Sequence, residues 1–430
     1  MKALVNTLRP RAGSAAGPRH APERGTVVLV RALLLFEAAM YSAVTPVLPH
    51  YAHELHAAKP AVGVLAASYP AGIIPGSLLG AWVATRAGVR RTTLIGLLLF
   101  AVSIAAFGFG TSIVTLDALR FVQGIGCGFI WGGGLTWVIA VAPRARRGAV
   151  LGSVIGAAIF GTLLGPILGT LAVTLGTRPV FILVGAVSIA LAAWTVRHPE
   201  PPARADGPEL TATPLRAVLT NRHILLASWL ILLEAATIGA TGTLLPLRLA
   251  RFGGSGVLIG ATFLVASLIS MQVAGPVGRA VDRRGAGVLV CVGLALTAVL
   301  LALLTLPHSA ILLAVVSVIA LGGPLTMYTI PSISVITEAT ERVGIPLAVA
   351  SLMLNLAWAV GETVGAPAAA NLSQATSDAV PLLALAAIMV ITLRPVIKAR
   401  LTPPAPADPA PASAESEARI GSEGTMTVHA

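Results

Sequence analysis

The chain has 430 residues, 56% of them hydrophobic and only 11% charged, with a mean hydropathy of +0.88. Soluble domains carry roughly a quarter charged residues, so this composition excludes a water-soluble globular protein and points to an integral membrane protein. The formal charge of +12 does not require nucleic acid, because basic loops gathered on one membrane face account for it. Only Cys127 and Cys291 occur, both in apolar runs, which excludes a disulfide framework and a cysteine-based metal cluster.

In chain order, residues 1–26 form a basic, Pro/Gly-rich arm expected to be disordered and cytoplasmic. The apolar run after it is too long for a cleaved signal peptide and contains Glu37. Runs of a length suited to membrane-crossing helices are predicted at about 27–48, 61–84, 92–110, 113–142, 149–173 and 178–196, an N-terminal half of residues 27–196. A polar segment, 197–223, is read as a cytoplasmic loop. Six more runs, at about 224–249, 256–280, 286–306, 309–336, 345–370 and 378–397, make a C-terminal half of residues 224–397. The tail, 398–430, is Pro/Ala-rich with acidic residues near its end, and is expected to be disordered and cytoplasmic.

The two halves share sequence. Leu33–Pro49, LLLFEAAMYSAVTPVLP, matches Leu230–Pro246, LILLEAATIGATGTLLP, at 8 of 17 positions. Glu37/Glu234 and Pro49/Pro246 are the informative matches in so apolar a chain. The same register aligns Gly63 with Gly260, Arg86 with Arg283 and Gly88 with Gly285. A register kept this long implies duplication and an all-α membrane protein of twelve helices in two six-helix pseudo-symmetric halves. Orientation follows from the basic residues. With both termini in the cytoplasm, Lys59, Arg178, Arg248 and Arg251 fall outside, Arg31 and Arg120 fall within spans, and the others fall inside.

Carboxylates inside such spans are functional candidates by default, since a charge at bilayer centre costs about 2.5 kcal/mol or more. Glu37 and Tyr41 share a face of the first predicted helix, Glu234 lies with Thr237 and Thr241 on the seventh, and Asn355, Trp358 and Glu362 share a face of the eleventh. Arg120, deep in the fourth, forms one stripe with Gln123, Cys127 and Trp131. Three acids against one arginine suit competition between a proton and a cationic substrate. Glu37 is the first candidate for coupling; protonated packing residues are the plainer reading, weighed evenly for Glu234 and Glu362. Arg120 reads equally well as a helix pin or as a proton or carboxylate contact.

Three motifs carry a family resemblance. The loop after the second span reads ATRAGVRR (Ala84–Arg91), with Arg86 and Gly88, and its twin reads GRAVDRRG (Gly278–Gly285), with Asp282, Arg283 and Gly285. The fourth span contains RFVQGIGCG, and the fifth GTLLGPILG, with Gly161, Gly165, Pro166 and Gly169. Glycines four apart permit close helix approach, and Pro166 bends its helix. Together these resemble the major facilitator superfamily, and with TPVLP in the first span they resemble its twelve-span drug:proton antiporters, including vesicular amine transporters. The resemblance implies gating roles for the loop and glycine motifs, and an acid where Glu37 stands. It departs at Thr85 and Ala81, where the family has Asp and Gly, so a cytoplasmic latch would rest on Asp282 with Arg146 or Arg147. It departs again at Asn355, where amine transporters carry an acid.

These observations imply a monomeric transporter of the cytoplasmic membrane that exchanges protons for a small amphipathic or cationic compound. A symporter or uniporter importing a metabolite is the alternative, and a non-transporting sensor on the same fold is a third reading. No G-x-x-x-x-G-K-[ST] loop, metal-ligand set or nucleophile constellation is present in the sequence, so neither a cofactor nor enzyme activity is expected. Cysteines placed at Ala87 and Gly207 are expected to react with an impermeant maleimide only from the cytoplasm, and one at His56 only from outside. Outside labelling at Gly207 overturns the topology.

Overall fold

The computed structural model describes residues 20–142, 147–200, 220–343 and 347–399, almost all helical. α1 runs His20–Ala43 and continues, after a 3-10 turn at Thr45–Val47, as Leu48–Glu54. Then come α2 (Lys59–Ala87), α3 (Val89–Phe107), α4 (Ile113–Val141), α5 (Arg147–Leu175) and α6 (Thr177–Arg197). The second half has α7 (Arg222–Arg251), α8 (Gly256–Arg284), α9 (Ala286–Leu303), α10 (Ala310–Gly322 and Pro324–Arg342), α11 (Leu347–Ala375) and α12 (Ala379–Ala399). Among the described residues, eleven segments are long and apolar enough to cross a membrane, and α11 has the length, at 29 residues. The first 19 residues, 201–219 and the tail from 400 lie outside the described residues. One boundary is corrected: α1 begins at His20, so residues 20–26 of the expected arm are helical. Pro22 falls in the first turn, where no N–H donor is needed.

The duplication extends into the helix ends. α2, α3 and α4 begin at 59, 89 and 113, and α8, α9 and α10 begin at 256, 286 and 310, the same offset throughout. Ser112 and Ser309 cap α4 and α10, each accepting the N–H three residues on. Gly88 and Gly285 join α2–α3 and α8–α9 at φ of 87° and 81° with extended ψ, a region essentially restricted to glycine. Tyr51 donates to the Phe107 carbonyl at 3.3 Å, and its counterpart Arg248 donates to the Leu304 carbonyl at 2.5 Å, so each half ties down the end of its third helix.

Each half packs in the same way, α1 on α5 and α7 on α11, α2 on α4 and α8 on α10. The glycine motifs explain the first pair. A side chain at Gly161 would strike the Leu35 backbone, and one at Gly361 the equivalent Leu232 backbone. Gly165 and Gly365 similarly press on Ala39 and Ala236. These contacts flank Glu37 and Glu234 on either side, so small residues on α5 and α11 fix the helices that carry the two related carboxylates.

The halves meet through α2 against α11 and α5 against α8. At the end marked by Lys59, Gly63 lies against Ala366, Pro367 and Ala370, while Gly260 lies against Pro166 and Thr170. Toward the Arg86 end, the α5 and α8 faces part: Ile155, Ile159 and Met271 are exposed, and nothing lies within 4 Å of a Cβ built at Gly152, Gly156 or Gly278. The Lys59 end is also closed ionically. Lys59 Nζ lies 2.5 Å from Asp378 Oδ1 and 2.8 Å from Ser373 Oγ, and Arg251 reaches Asp378 Oδ2 at 2.9 Å. Ser373 also donates to Asp378.

Burial alone would raise the Asp378 carboxyl, but hydrogen bonds from Lys59 and Ser373 and the charges of Lys59 and Arg251 together hold it below its ordinary 3.8. A carboxyl lowered in this way supports closure above the ordinary value and loses that support as pH falls through the lowered one. Asp378→Asn is therefore expected to open the Lys59 end at neutral pH. Spin labels at His56 and Leu306, on opposite halves, should show a longer distance population in the variant than in the parent; identical distributions at neutral pH remove the latch.

Candidate functional site

Midway along the bundle, polar groups from α1, α2, α4 and α11 converge. Glu37 on α1 is 3% exposed and both of its oxygens are engaged. Tyr69 of α2 donates to Oε1, and Trp131 of α4 donates to Oε2 at 2.6 Å. Arg120, 2% exposed, lies over the Tyr69 ring, 4.3 Å from its centroid, and donates from Nη1 to Gln123 Oε1 at 2.9 Å. A guanidinium removed from water needs such a combination of acceptor, aromatic face and nearby negative charge. The stripe read on the fourth span thus faces α1 and α2, with Arg120, Gln123, Cys127 and Trp131 all in contact with the same cluster.

One bond crosses between the halves here. Tyr41 of α1 donates to Glu362 Oε1 of α11 at 2.6 Å. Its ring packs edge-on against Trp358 at 5.2 Å and lies 5.6 Å from Tyr69. Glu362 is 6% exposed, and its Oε2 is buried with no partner. One turn or more toward the Arg86 end, Asn355 Nδ2 donates to Ser77 Oγ of α2 at 3.3 Å. Six of the eight residues expected at the site, Glu37, Tyr41, Arg120, Gln123, Trp358 and Glu362, form one contiguous network, and Asn355 adds a second link across the same seam.

Glu234 stands apart. It is half-buried between α7 and α10, near Thr329 and Tyr328. Tyr328 occupies the position equivalent to Trp131, so each half sets an aromatic residue of its fourth helix beside the carboxylate of its first. The second half lacks the remainder, because Arg120, Gln123 and Tyr69 correspond to Ser317, Ala320 and Ala266. Tyr69 is the main residue that sequence reasoning missed. Its signal was rarity: the chain has only 4 tyrosines, and three of them, Tyr41, Tyr69 and Tyr328, stand beside the three intramembrane glutamates. A cavity of about 610 Å³ lies elsewhere, an open vestibule at the Lys59 end lined by residues such as His53, Glu54 and Arg178.

With this geometry in view, the comparisons are specific about family. The family model described as Major Facilitator Superfamily matches residues 32–362. The chain belongs to the major facilitator superfamily. It is 25% identical over 373 residues to the uncharacterized MFS-type transporter YcaD of Shigella flexneri serotype 5b (strain 8401), covering 86% of this chain and 94% of that protein. The YcaD protein of Escherichia coli O139:H28 (strain E24377A / ETEC) matches over the same shares. Among solved structures, a point mutant of the nucleoside transporter NupG superposes with a TM-score of 0.72 at 13% identity, covering 87% of this chain and 99% of that one. A POT family transporter in complex with a thioalcohol conjugated peptide gives 0.67 at 15%, covering 86% and 95%. At such identities these structures speak for the fold. The protein is a multi-pass membrane transporter of facilitator type and not an enzyme.

The facilitator loop motifs lie at the open end. Arg86 stacks on Trp82 at 4.2 Å, Arg283 is exposed, and Gly88 and Gly285 make the two tight turns. Thr85, in place of the family acid, only donates to the Trp82 carbonyl. An acid does reach this loop from another direction. Glu200, beyond α6, accepts from the Arg90 N–H at 3.3 Å, and its other oxygen lies 3.6 Å from Arg90 Nε. The side chains of Asp282, Arg146 and Arg147, the expected latch partners, lie outside the described residues.

The Arg120 network yields a stability prediction. Arg120→Leu removes the cation beside buried carboxylates and is expected to cost about 3 kcal/mol or more. Adding Glu37→Gln should recover part of that loss, which a double-mutant cycle on thermal unfolding in detergent would detect. Strictly additive losses mean that the two groups do not interact.

Proposed function

We propose that this facilitator is a proton-coupled antiporter that exports a small amphipathic or cationic compound by alternating access, from a site built on Glu37, Tyr41, Arg120, Trp358 and Glu362. The supporting observation is the Tyr41–Glu362 bond, made between the halves at mid-bundle beside an unpartnered carboxylate oxygen. A rocking of the halves must break or remake that bond, so occupancy of the carboxylate and conformation are linked. Two carboxylates and one guanidinium leave an excess acidic group, which can carry either a proton or a cation, one at a time. With the basic loops placed in the cytoplasm, the Arg86 end is the cytoplasmic one, and the arrangement described is open inward and closed outward. Gly161, Gly165, Pro166 and Gly169 on α5 and their counterparts on α11 serve as the packed elements about which each half moves as a unit.

A second reading is import of a polar metabolite with protons. It draws on the structural neighbours, a nucleoside transporter and a POT family transporter. Purified protein in liposomes with an acidic lumen separates the two. Antiport predicts uptake of external amphipathic amines as protons leave, abolished by a protonophore; symport predicts uptake of nucleosides or dipeptides only with the acidic side outside. Uptake of none of these under either gradient sinks the transport proposal in both forms.

A further inference from the structure

The two carboxylates that approach the seam between the halves are built differently. Glu37 has a donor on each oxygen, Tyr69 on one and Trp131 on the other, and Arg120 stacks on that same Tyr69. Every one of these partners lies on α1, α2 or α4, within one half, so nothing in the set has to break when the halves move. Glu362 has one donor, Tyr41, which comes from the opposite half, while its second oxygen is buried without a partner. A buried carboxylate oxygen left bare is costly, and the deficit is met by a proton on that oxygen or by an N–H donor brought to it.

We infer that Glu362, rather than Glu37, is the carboxylate that exchanges its proton for the substrate, and that the substrate presents a protonated amine seated on Glu362 beside the Tyr41 and Trp358 pair. This rests on the transport reading above and assigns its coupling group and substrate chemistry. The sequence-based expectation favoured Glu37 for its place in the duplicated stretch, its mid-span depth and the acid the family carries there; its two donors, Tyr69 and Trp131, both come from its own half and hold it fixed. Tyr41 and Trp358 meet edge to face at 5.2 Å beside Glu362, an aromatic pair whose π faces favour a nearby cation and its apolar substituent. The charged and titratable groups acting on Glu362 are Tyr41 from α1 and Arg120 from α4, and α7 presents Gly239 against its side chain.

The step balances simply. The O–H bond of protonated Glu362 breaks and the proton leaves to water on the accessible side. The ammonium, already protonated in solution, then donates its N–H to the freed carboxylate, so one proton is exchanged for one monovalent cation at this group. Proton return from the other side displaces the amine after the halves have rocked.

The test is infrared difference spectroscopy of the purified protein between acidic and alkaline pH, which reads carboxyl protonation without any substrate. The parent is expected to show a carboxylic C=O band that disappears in Glu362→Gln and persists in Glu37→Gln. Because Glu362→Gln could fold poorly, Tyr41→Phe serves as a second probe. It removes the hydrogen bond to Oε1 and should move the band to higher wavenumber. A band lost in Glu37→Gln and kept in Glu362→Gln, or unmoved by Tyr41→Phe, overturns the assignment. For the substrate class, phenethylamine added to weakly buffered parent should release protons and quench tryptophan fluorescence, and phenethyl alcohol should do neither. Equal responses to both compounds, or none to the amine, overturn the amine seat. A parent that titrates Glu362 and releases protons to phenethylamine, yet moves no solute in liposomes, would count against transport while leaving the carboxylate assignment standing.

Discussion

The constraint on which the rest depends is the presence of Arg120 in a bundle whose surroundings offer no water. Isolated burial of a guanidinium is costly by several kcal/mol, and the structure meets it with an aromatic face, an amide oxygen and a nearby carboxylate. That arrangement recruits Tyr69, whose hydroxyl is committed to Glu37, which also takes up the Trp131 N–H. Arg120, Gln123, Tyr69, Glu37 and Trp131 therefore hold one another in place within one half, although Arg120 Nε and Gln123 Nε2 are buried without a partner. Glu362 lies beside this set with one donor, drawn from the opposite half, and a buried second oxygen without a partner.

The duplication clarifies which features serve architecture and which serve chemistry. Helix starts, serine caps, positive-φ glycine turns and glycine contacts around the first helix recur at a constant or nearly constant offset in both halves. These are demands of the bundle, met twice. Arg120, Gln123, Tyr69 and Tyr41 have no polar or aromatic counterpart at the equivalent positions except Ser317. Glu234 and Tyr328 in the second half keep the carboxylate-aromatic pair without a cation. The asymmetry concentrates charge in the first half and leaves the second to supply the partner that crosses the seam.

Much of this was legible in the sequence because the relevant signals are local. Span length, basic loops, the repeat register and the i, i+4 spacing of Gly161, Gly165 and Gly169 are properties of one stretch at a time. The Arg120–Gln123 contact was equally readable, being three residues apart on one helix. What could not be read is which helix faces which. Tyr69 sits in the unremarkable run ASYPAG, and only the packing of α2 against α1 and α4 gives it a role. Lys59 and Asp378 fall 319 residues apart; Lys59 was visible merely as a basic residue on the wrong face. The break in α10 at Gly323–Pro324 was missed as well, although Pro at a first helical position is a known start signal.

The polar links described between the halves are few and individually modest, which suits the alternating access proposed above. Tyr41–Glu362, Asn355–Ser77, Lys59–Asp378 and Lys59–Ser373 are the polar ties described across the seam. A hydrogen bond typically contributes about 1 kcal/mol net, somewhat more when one partner is charged. A two-state equilibrium shifts tenfold for every ~1.4 kcal/mol, so a single tie made or lost is enough to change which end is favoured. Tight glycine packing, by contrast, lies largely within each half, between α1 and α5 and between α7 and α11, and resists deformation. In the proposed cycle, tightly packed halves joined by weak, exchangeable contacts would convert a change at one carboxylate into a movement of whole helices, because close-packed interiors transmit strain in place of absorbing it.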